Sequence, residues 1–190
     1  MADLVTVNQY KTYRGITGDT EDTRLNVLIP ALSELVKGYC GRSLIDNYST
    51  EKTEYFTIKY PQDVVFLSEF PLNTITSVKE SSSYLEDSDY TTLTASQYEY
   101  DTNLDALYRV EEGVRKDFPI GINSVEVIYT AGYETTPQDL RLAVFDLITY
   151  YLNDEHKPEL NHASFTIRRA DPEANFPEHI KRVLDRYKDV

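Results

Sequence analysis

The stretch Val125-Glu126-Val127-Ile128-Tyr129-Thr130-Ala131-Gly132-Tyr133-Glu134-Thr135-Thr136-Pro137 decides the fold class. Its first half alternates: Val125, Val127 and Tyr129 fall on one face, as a strand with one buried side requires. After Pro137 the period changes. Leu140, Ala143, Val144, Leu147, Ile148 and Tyr151 recur at three and four residues, which predicts a long helix over 136–154. Thr136 is the expected N-cap, Pro137 the first helical residue, and Asp139 lies near the positive end of the dipole. Phe145, Tyr150 and Leu152 widen the stripe, so this helix should be buried on more than one side.

Upstream of the strand the pattern stays strand-like back to residue 51. Glu54, Phe56 and Ile58 alternate with Tyr55, Thr57 and Lys59. Val64–Leu67 is a short apolar run, and Thr74–Lys79 follows Pro71. Tyr98–Tyr100 and Ala106–Val110 should pair across residues 101–105. The connections are short, so the sheet should be antiparallel. Further upstream, Thr6 and Gln9 have capping-box spacing, with Val5 and Tyr10 placed for a hydrophobic staple. A second helix is expected from near Asp19-Thr20, with Leu25, Leu28, Ile29, Leu32, Leu35, Val36 and Tyr39 as its stripe. Pro30 should kink it or restart it, and Gly38 and Gly41 should close it. A closing helix follows Phe176-Pro177, with Ile180, Val183, Leu184 and Tyr187 on one face.

The expected fold class is therefore α+β: N- and C-terminal helices forming a small helical bundle, with an inserted antiparallel β-sheet region. The 190 residues read as a single domain. Its parts are helices over 1–45, a β-rich insert over 51–130, the long helix over 136–154, an extended arm over 155–176 and a C-terminal helix over 177–189.

Composition narrows the function. The chain has 19 Lys plus Arg against 32 Asp plus Glu, a net charge of −13. Residues 51–136 hold 6 basic and 16 acidic groups, so 10 of the 13 excess negative charges lie in the β-rich middle. Nine of the 16 Tyr lie there too, and Tyr suits half-exposed strands and interfaces. So acidic a chain argues against electrostatic gripping of nucleic acid. One cysteine, Cys40, forms no internal disulfide. The N-terminal residues show no signal-peptide pattern, and no apolar run approaches membrane-spanning length, so no membrane partner is expected.

Chemistry-bearing motifs are absent. No nucleophile elbow, P-loop or dinucleotide fingerprint occurs. His156 and His162 are six residues apart, which matches no zinc pattern. Cys40 at a helix C-terminus should have a raised pKa. No catalytic, cofactor-binding or metal-binding residue is assigned, and no cofactor is expected. The basic residues Lys181, Arg182, Arg186 and Lys188 read either as a solvated helix face or as a docking face for an acidic partner.

The order of these signals resembles the head–tail connector proteins of long-tailed double-stranded-DNA bacteriophages, also called adaptor or head-completion proteins. The resemblance rests on Val36-Lys37-Gly38-Tyr39-Cys40-Gly41-Arg42-Ser43-Leu44, on Phe70 to Val78, on Leu93 to Asp101, and on Val125 to Tyr133 followed by Pro137, Leu140 and Ala143. Pro177 to Tyr187 is similar to the family's closing helix. It covers roughly residues 4–153 and 176–188.

The resemblance implies a structural virion protein of the neck, assembled in the host cytoplasm. It implies a homo-oligomeric ring beneath the portal, dodecameric in the virion and possible as a monomer when free. The ring would complete the DNA-filled head, extend the DNA channel and join head to tail. Its partners would be the portal protein, the next neck or tail-terminator protein, and double-stranded DNA that passes without specific binding. Arg168, Arg169, Lys181 and Arg182 are the candidate portal contact. Ala131, Gly132 and Tyr133 are the candidate structural hinge. Glu86, Asp87, Asp89, Glu99, Asp101, Glu111 and Glu112 are the candidate acidic lumen. Another neck or tail-completion protein, or a small enzyme with an unrecognised carboxylate site, are the alternatives.

Overall fold

In the computed structural model, residues 2–81, 90–153 and 176–188 are described. They group into two compact units, one from residues 1–42 and 135–190 and the other from Ser43–Glu134. The fold class is α+β, as expected.

The first unit is helical. Helix α1, Val7–Arg14, begins with the expected capping box. Gln9 N–H donates to Thr6 Oγ1 at 3.2 Å, and Thr6 N–H donates to Gln9 Oε1 at 2.8 Å. Val5 and Tyr10 are both buried, consistent with the staple. Helix α2, Asp22–Cys40, buries Leu25, Ile29, Leu32, Val36 and Cys40. It begins three residues later than the expected Asp19, after a turn in which Asp22 N–H donates to Asp19 O. It also runs through Pro30 as one helix, without a fresh start. Asn26 and Pro30 are both exposed, so the carbonyl that proline cannot serve lies on the solvent side. Gly38 is interior, and Gly41, at φ 74°, closes the helix with its N–H on Lys37 O.

Helix α3, Gln138–Leu152, buries Leu140, Ala143, Val144, Phe145, Leu147 and Ile148. Its N-cap is Pro137, not Thr136. The Thr136 hydroxyl donates to the carbonyl of Leu4 and so does not cap its own helix. Helix α4, Glu178–Leu184, and the 3₁₀ turn Asp185–Tyr187 bury Ile180, Leu184 and Tyr187. Helix α2 packs against α1, α3 and α4, and α3 packs against α4.

The second unit holds two antiparallel sheets. One has the order β1 (Lys52–Ile58), β8 (Gly121–Ala131), β3 (Leu72–Glu80), β4 (Thr91–Thr92). The other has β2 (Val64–Phe66), β6 (Ala106–Glu111) and β5 (Tyr98–Asp101), and β7 (Val114–Arg115) also pairs with β6. The expected β5–β6 pairing is present, with Tyr100 opposite Leu107. Strand β8 is flanked on both sides, and its Val125, Val127, Tyr129 and Ala131 are fully buried. Ile58, Val65, Val78, Leu107 and Phe118 join them in one core to which both sheets contribute. Fully burying such a side chain contributes about 1.5–3 kcal/mol.

The end of β8 is pinned to the start of this unit. Ala131 N–H donates to Asn47 O, Gly132 N–H to Pro71 O, and Tyr133 N–H to Leu44 O, at 2.8–2.9 Å. Gly132 has φ 101°, and a Cβ there would lie 2.4 Å from Leu44 O. Only glycine satisfies both constraints. Gly132→Ala should therefore cost about 2 kcal/mol or more. A lowered urea midpoint checks this, and an unchanged midpoint contradicts it.

Candidate functional site

Charge is the feature the sequence singles out, and the structure sorts it. Residues 43–134 carry 17 acidic and 6 basic groups, a net of −11. Of the candidate acidic residues, Glu99, Asp101, Glu111 and Glu112 lie on or beside the smaller sheet, while Glu86, Asp87 and Asp89 lie outside the described residues. Glu99 is exposed on β5. Asp101 ends β5 opposite Ala106, whereas Glu111 ends β6. The two thus sit at opposite ends of one ladder, about 16 Å apart at the rise of a strand.

These carboxylates do not all point freely to solvent. Asp101 accepts from the N–H and the side-chain amide of Asn103, at 2.8 and 3.2 Å, and so shapes the β5–β6 turn. Glu111 pairs with Lys116 at 2.6 Å. That hydrogen bond holds its carboxyl below the ordinary value. Glu99 and Glu112 are exposed; Glu112, at φ 52°, occupies the β6–β7 turn with Gly113.

Sequence reasoning missed the interior charges. Arg109 is 1% exposed. Its Nε and Nη2 donate to the two oxygens of Glu80 at 2.9 and 3.1 Å, and its Nη1 donates to the carbonyls of Gln97 and Val110 at 3.0 and 2.6 Å. This two-pronged pair joins β6 of one sheet to the end of β3 in the other. Nothing in Tyr108-Arg109-Val110 marks the arginine as buried, because its partner is 29 residues away.

A second network surrounds Glu54. Its carboxylate accepts from Tyr129 Oη at 2.7 Å, from Ser68 N–H at 3.2 Å and from the Ser68 hydroxyl, and Lys52 Nζ lies 3.1 Å away. Burial opposes its ionisation. The hydrogen bonds from Ser68 and Tyr129, with the Lys52 charge, outweigh burial and leave the carboxyl below its ordinary 4.5. The Tyr129 phenol is pushed up by burial and by the Glu54 carboxylate. Glu69, 3% exposed, accepts from Ser43 N–H at 2.8 Å.

In the helical unit, Lys181 is half-buried and lies 3.9 Å from Glu178, and Arg182 is exposed. Arg186 reaches Asp139 at 3.1 Å, and the Tyr187 hydroxyl donates to the same carboxylate. Arg168 and Arg169 lie outside the described residues. Ala131, Gly132 and Tyr133 are held as described above. Cys40 is buried, its thiol pushed up to about 11 by burial, and Sγ lies 3.8 Å from Leu184 O. Among the described residues, no group of three His, Cys, Asp or Glu could hold a metal ion, and no helix is long and apolar enough to cross a membrane. His156 and His162 are outside those residues.

The acids and bases whose partners are resolved hold turns, sheets and chain ends together. Comparison with known proteins gives the family. Residues 3–190 match the model of the head completion protein family, and the chain belongs to that family of structural proteins of the virion neck. It is 24% identical to the head completion protein of Escherichia phage T5 over 191 residues, covering 98% of this chain and 99% of the relative. Its fold is similar to a chain in the neck of an empty gene transfer agent particle computed with C6 symmetry. The TM-score is 0.59 at 18% identity, with 98% of this chain and 90% of the other covered. A chain in the native particle's neck, computed with C12 symmetry, gives a TM-score of 0.50 at 19% identity, with 100% and 94% covered.

Two outcomes are expected. Arg109→Ala should destabilise the protein by about 3–5 kcal/mol, because it strands the half-buried Glu80 carboxylate and takes a donor from the Gln97 and Val110 carbonyls; chemical denaturation measures this. A group with a depressed folded pKa stabilises fully above its unfolded value and loses that contribution as pH falls through the folded one. Glu54 therefore supports the fold at neutral pH, and its support fades below about pH 4.5. Glu54→Gln should lower the urea midpoint at pH 7 more than at pH 3, and an equal loss at both would contradict the network.

Proposed function

We propose that this chain forms a homo-oligomeric ring beneath the portal, completes the DNA-filled head, and extends the DNA channel to the tail. The family match across residues 3–190 carries this reading. The gene transfer agent chains of similar fold lie in necks computed with sixfold and twelvefold symmetry, which is the setting such a ring would occupy. In this reading both units serve as one connector domain. Helices from the N- and C-terminal segments form its bundle, and the β-rich part is an insert between them.

The charge distribution supports a division of labour. The −11 unit faces the channel, through Glu99, Glu112 and their neighbours, so that phosphates are repelled and DNA slides. The exposed Arg182 and the neighbouring Lys181 face the portal, together with Arg168 and Arg169. Ala131-Gly132-Tyr133 is the joint at which strand gives way to the helix-bearing chain. The next neck or tail-terminator protein docks on the opposite rim of the ring.

Heads from a deletion mutant should leak DNA and fail to join tails, and added protein should restore both. Normal, filled, tail-competent heads without the protein would sink the reading. Lys181→Glu combined with Arg182→Glu should leave the protein folded but unable to bind tailless heads, measured by co-sedimentation. Glu99→Lys combined with Glu112→Lys should still bind heads and should slow DNA ejection, most at low salt. Unchanged ejection at all salt concentrations would remove these residues from the channel wall.

A further inference from the structure

The C-terminal segment is held in the helical unit by more than its apolar face. Helix α4 has 7 residues, and its N-cap, Pro177, makes no side-chain cap bond. A helix so short does not keep its shape alone, so docking must supply it. Phe176, Ile180, Leu184 and Tyr187 are buried and decide which side of the segment turns inward. Apolar burial is non-directional, so it fixes that rotation better than it fixes the position along the helix axis.

Directional contacts supply the rest, and they converge on one residue near the end of α2 and one at the start of α3. Tyr39 reaches residues on both sides of α4 in the chain. Its ring meets the Phe176 ring edge-on at 4.9 Å, and its hydroxyl donates to Asp185 Oδ1 at 2.7 Å. Lys188 Nζ lies 4.0 Å from the centre of the same ring and 3.3 Å from Asp185. Asp139 uses both of its oxygens. Oδ1 accepts from the Tyr187 hydroxyl and from Leu140 N–H, and Oδ2 accepts from Arg186 Nη1 at 3.1 Å. The Arg186 pair is exposed and contributes little. The Tyr187 bond is part-buried and contributes more. Both carboxyls lie below their ordinary value, Asp139 chiefly through the Tyr187 bond and Asp185 chiefly through the Tyr39 bond. Both are therefore charged, and both clasps are in place, at neutral pH.

The helix fixed in this way carries Lys181 and Arg182, the two residues after the buried Ile180. We propose that Tyr39 and Asp139 are positioning residues for the portal contact: by clasping the ends of the α4 segment they set where Lys181 and Arg182 stand. The inference rests on the portal reading of those two basic residues given above, and it names what holds them in place. Tyr39 and Asp139 act through α4 rather than by a contact of their own. The clasps hold only as long as a hydroxyl stands at Tyr39 and a carboxylate at Asp139, so the effect on binding is separable from apolar packing.

The test uses the full-length chain carrying Tyr39→Phe and Asp139→Ala, which keeps the ring on Phe176 and removes both clasps. Amide hydrogen exchange across residues 178–187 should quicken about tenfold or more, while the amides of α2, α3 and β8 keep wild-type rates. Co-sedimentation with tailless heads should weaken several-fold. Tyr39→Phe alone should give an intermediate result, and it carries the test if the double variant folds poorly. Asp139→Glu, which retains a carboxylate, should bind heads several-fold better than Asp139→Ala. Wild-type head binding by a variant whose 178–187 amides have loosened overturns the inference, and so does wild-type exchange in that segment. Quickened exchange throughout α2 and α3 overturns it too, since the two residues would then hold the whole unit. Wild-type binding by the Lys181→Glu, Arg182→Glu chain overturns the portal reading itself.

Discussion

A guanidinium buried to 1% exposure sets the terms for the β unit. Removing a charge from water costs several kcal/mol even after relaxation, so Arg109 is tolerable only where its donors are met. Glu80 meets two of them, and the carbonyls of Gln97 and Val110 meet the third nitrogen. The three partners come from β3, from the residue before β5, and from β6 itself. A one-residue slip of any of these would break the set. The arginine thus acts as a register pin for two sheets whose apolar contacts alone would tolerate some sliding. The same logic holds around Glu54, where Ser68, Lys52 and Tyr129 arrive from three different segments.

Much of the architecture was legible in the sequence because it is set locally. The Thr6–Gln9 box, the α2 stripe, the alternation of β1 and the β5–β6 hairpin all follow from spacings of two to five residues. What escaped notice depends on distant partners. Thr136 has every property of an N-cap, yet its hydroxyl donates to Leu4 O, 132 residues away. Pro30 reads as a break, but its position on the exposed side of α2 makes the lost hydrogen bond cheap. The division of the strands between two sheets was also hidden, since both sheets alternate alike. At the candidate site, the concentration of acid in the middle of the chain was visible. That Asp101 shapes a turn and Glu111 pairs with Lys116 was not, because a carboxylate's sequence context does not say whether its partner is water or lysine.

The acidity consequently separates into two populations. Glu54, Glu69, Glu80 and Glu126 are inward or half-inward and hydrogen-bonded, the last to Lys79. Glu99 and Glu112 are exposed. The net charge of a neck component is therefore a poor guide to its surface field. Several of its negative charges are already committed to the fold. A channel lining needs only the second population.

The hydrogen bonds of Leu44, Asn47 and Pro71 to the Ala131–Tyr133 corner bring the first and last residues of the β unit together. A segment of some ninety residues that enters and leaves at one point imposes the same end-to-end spacing as a short loop would, because closure cost grows only with the logarithm of length. Such a segment can lengthen, shrink or be exchanged between relatives while the polypeptide on either side keeps its registration. Divergence in this family should therefore accumulate as insertions and replacements between residues 47 and 131, while Gly132 and the backbone it abuts persist.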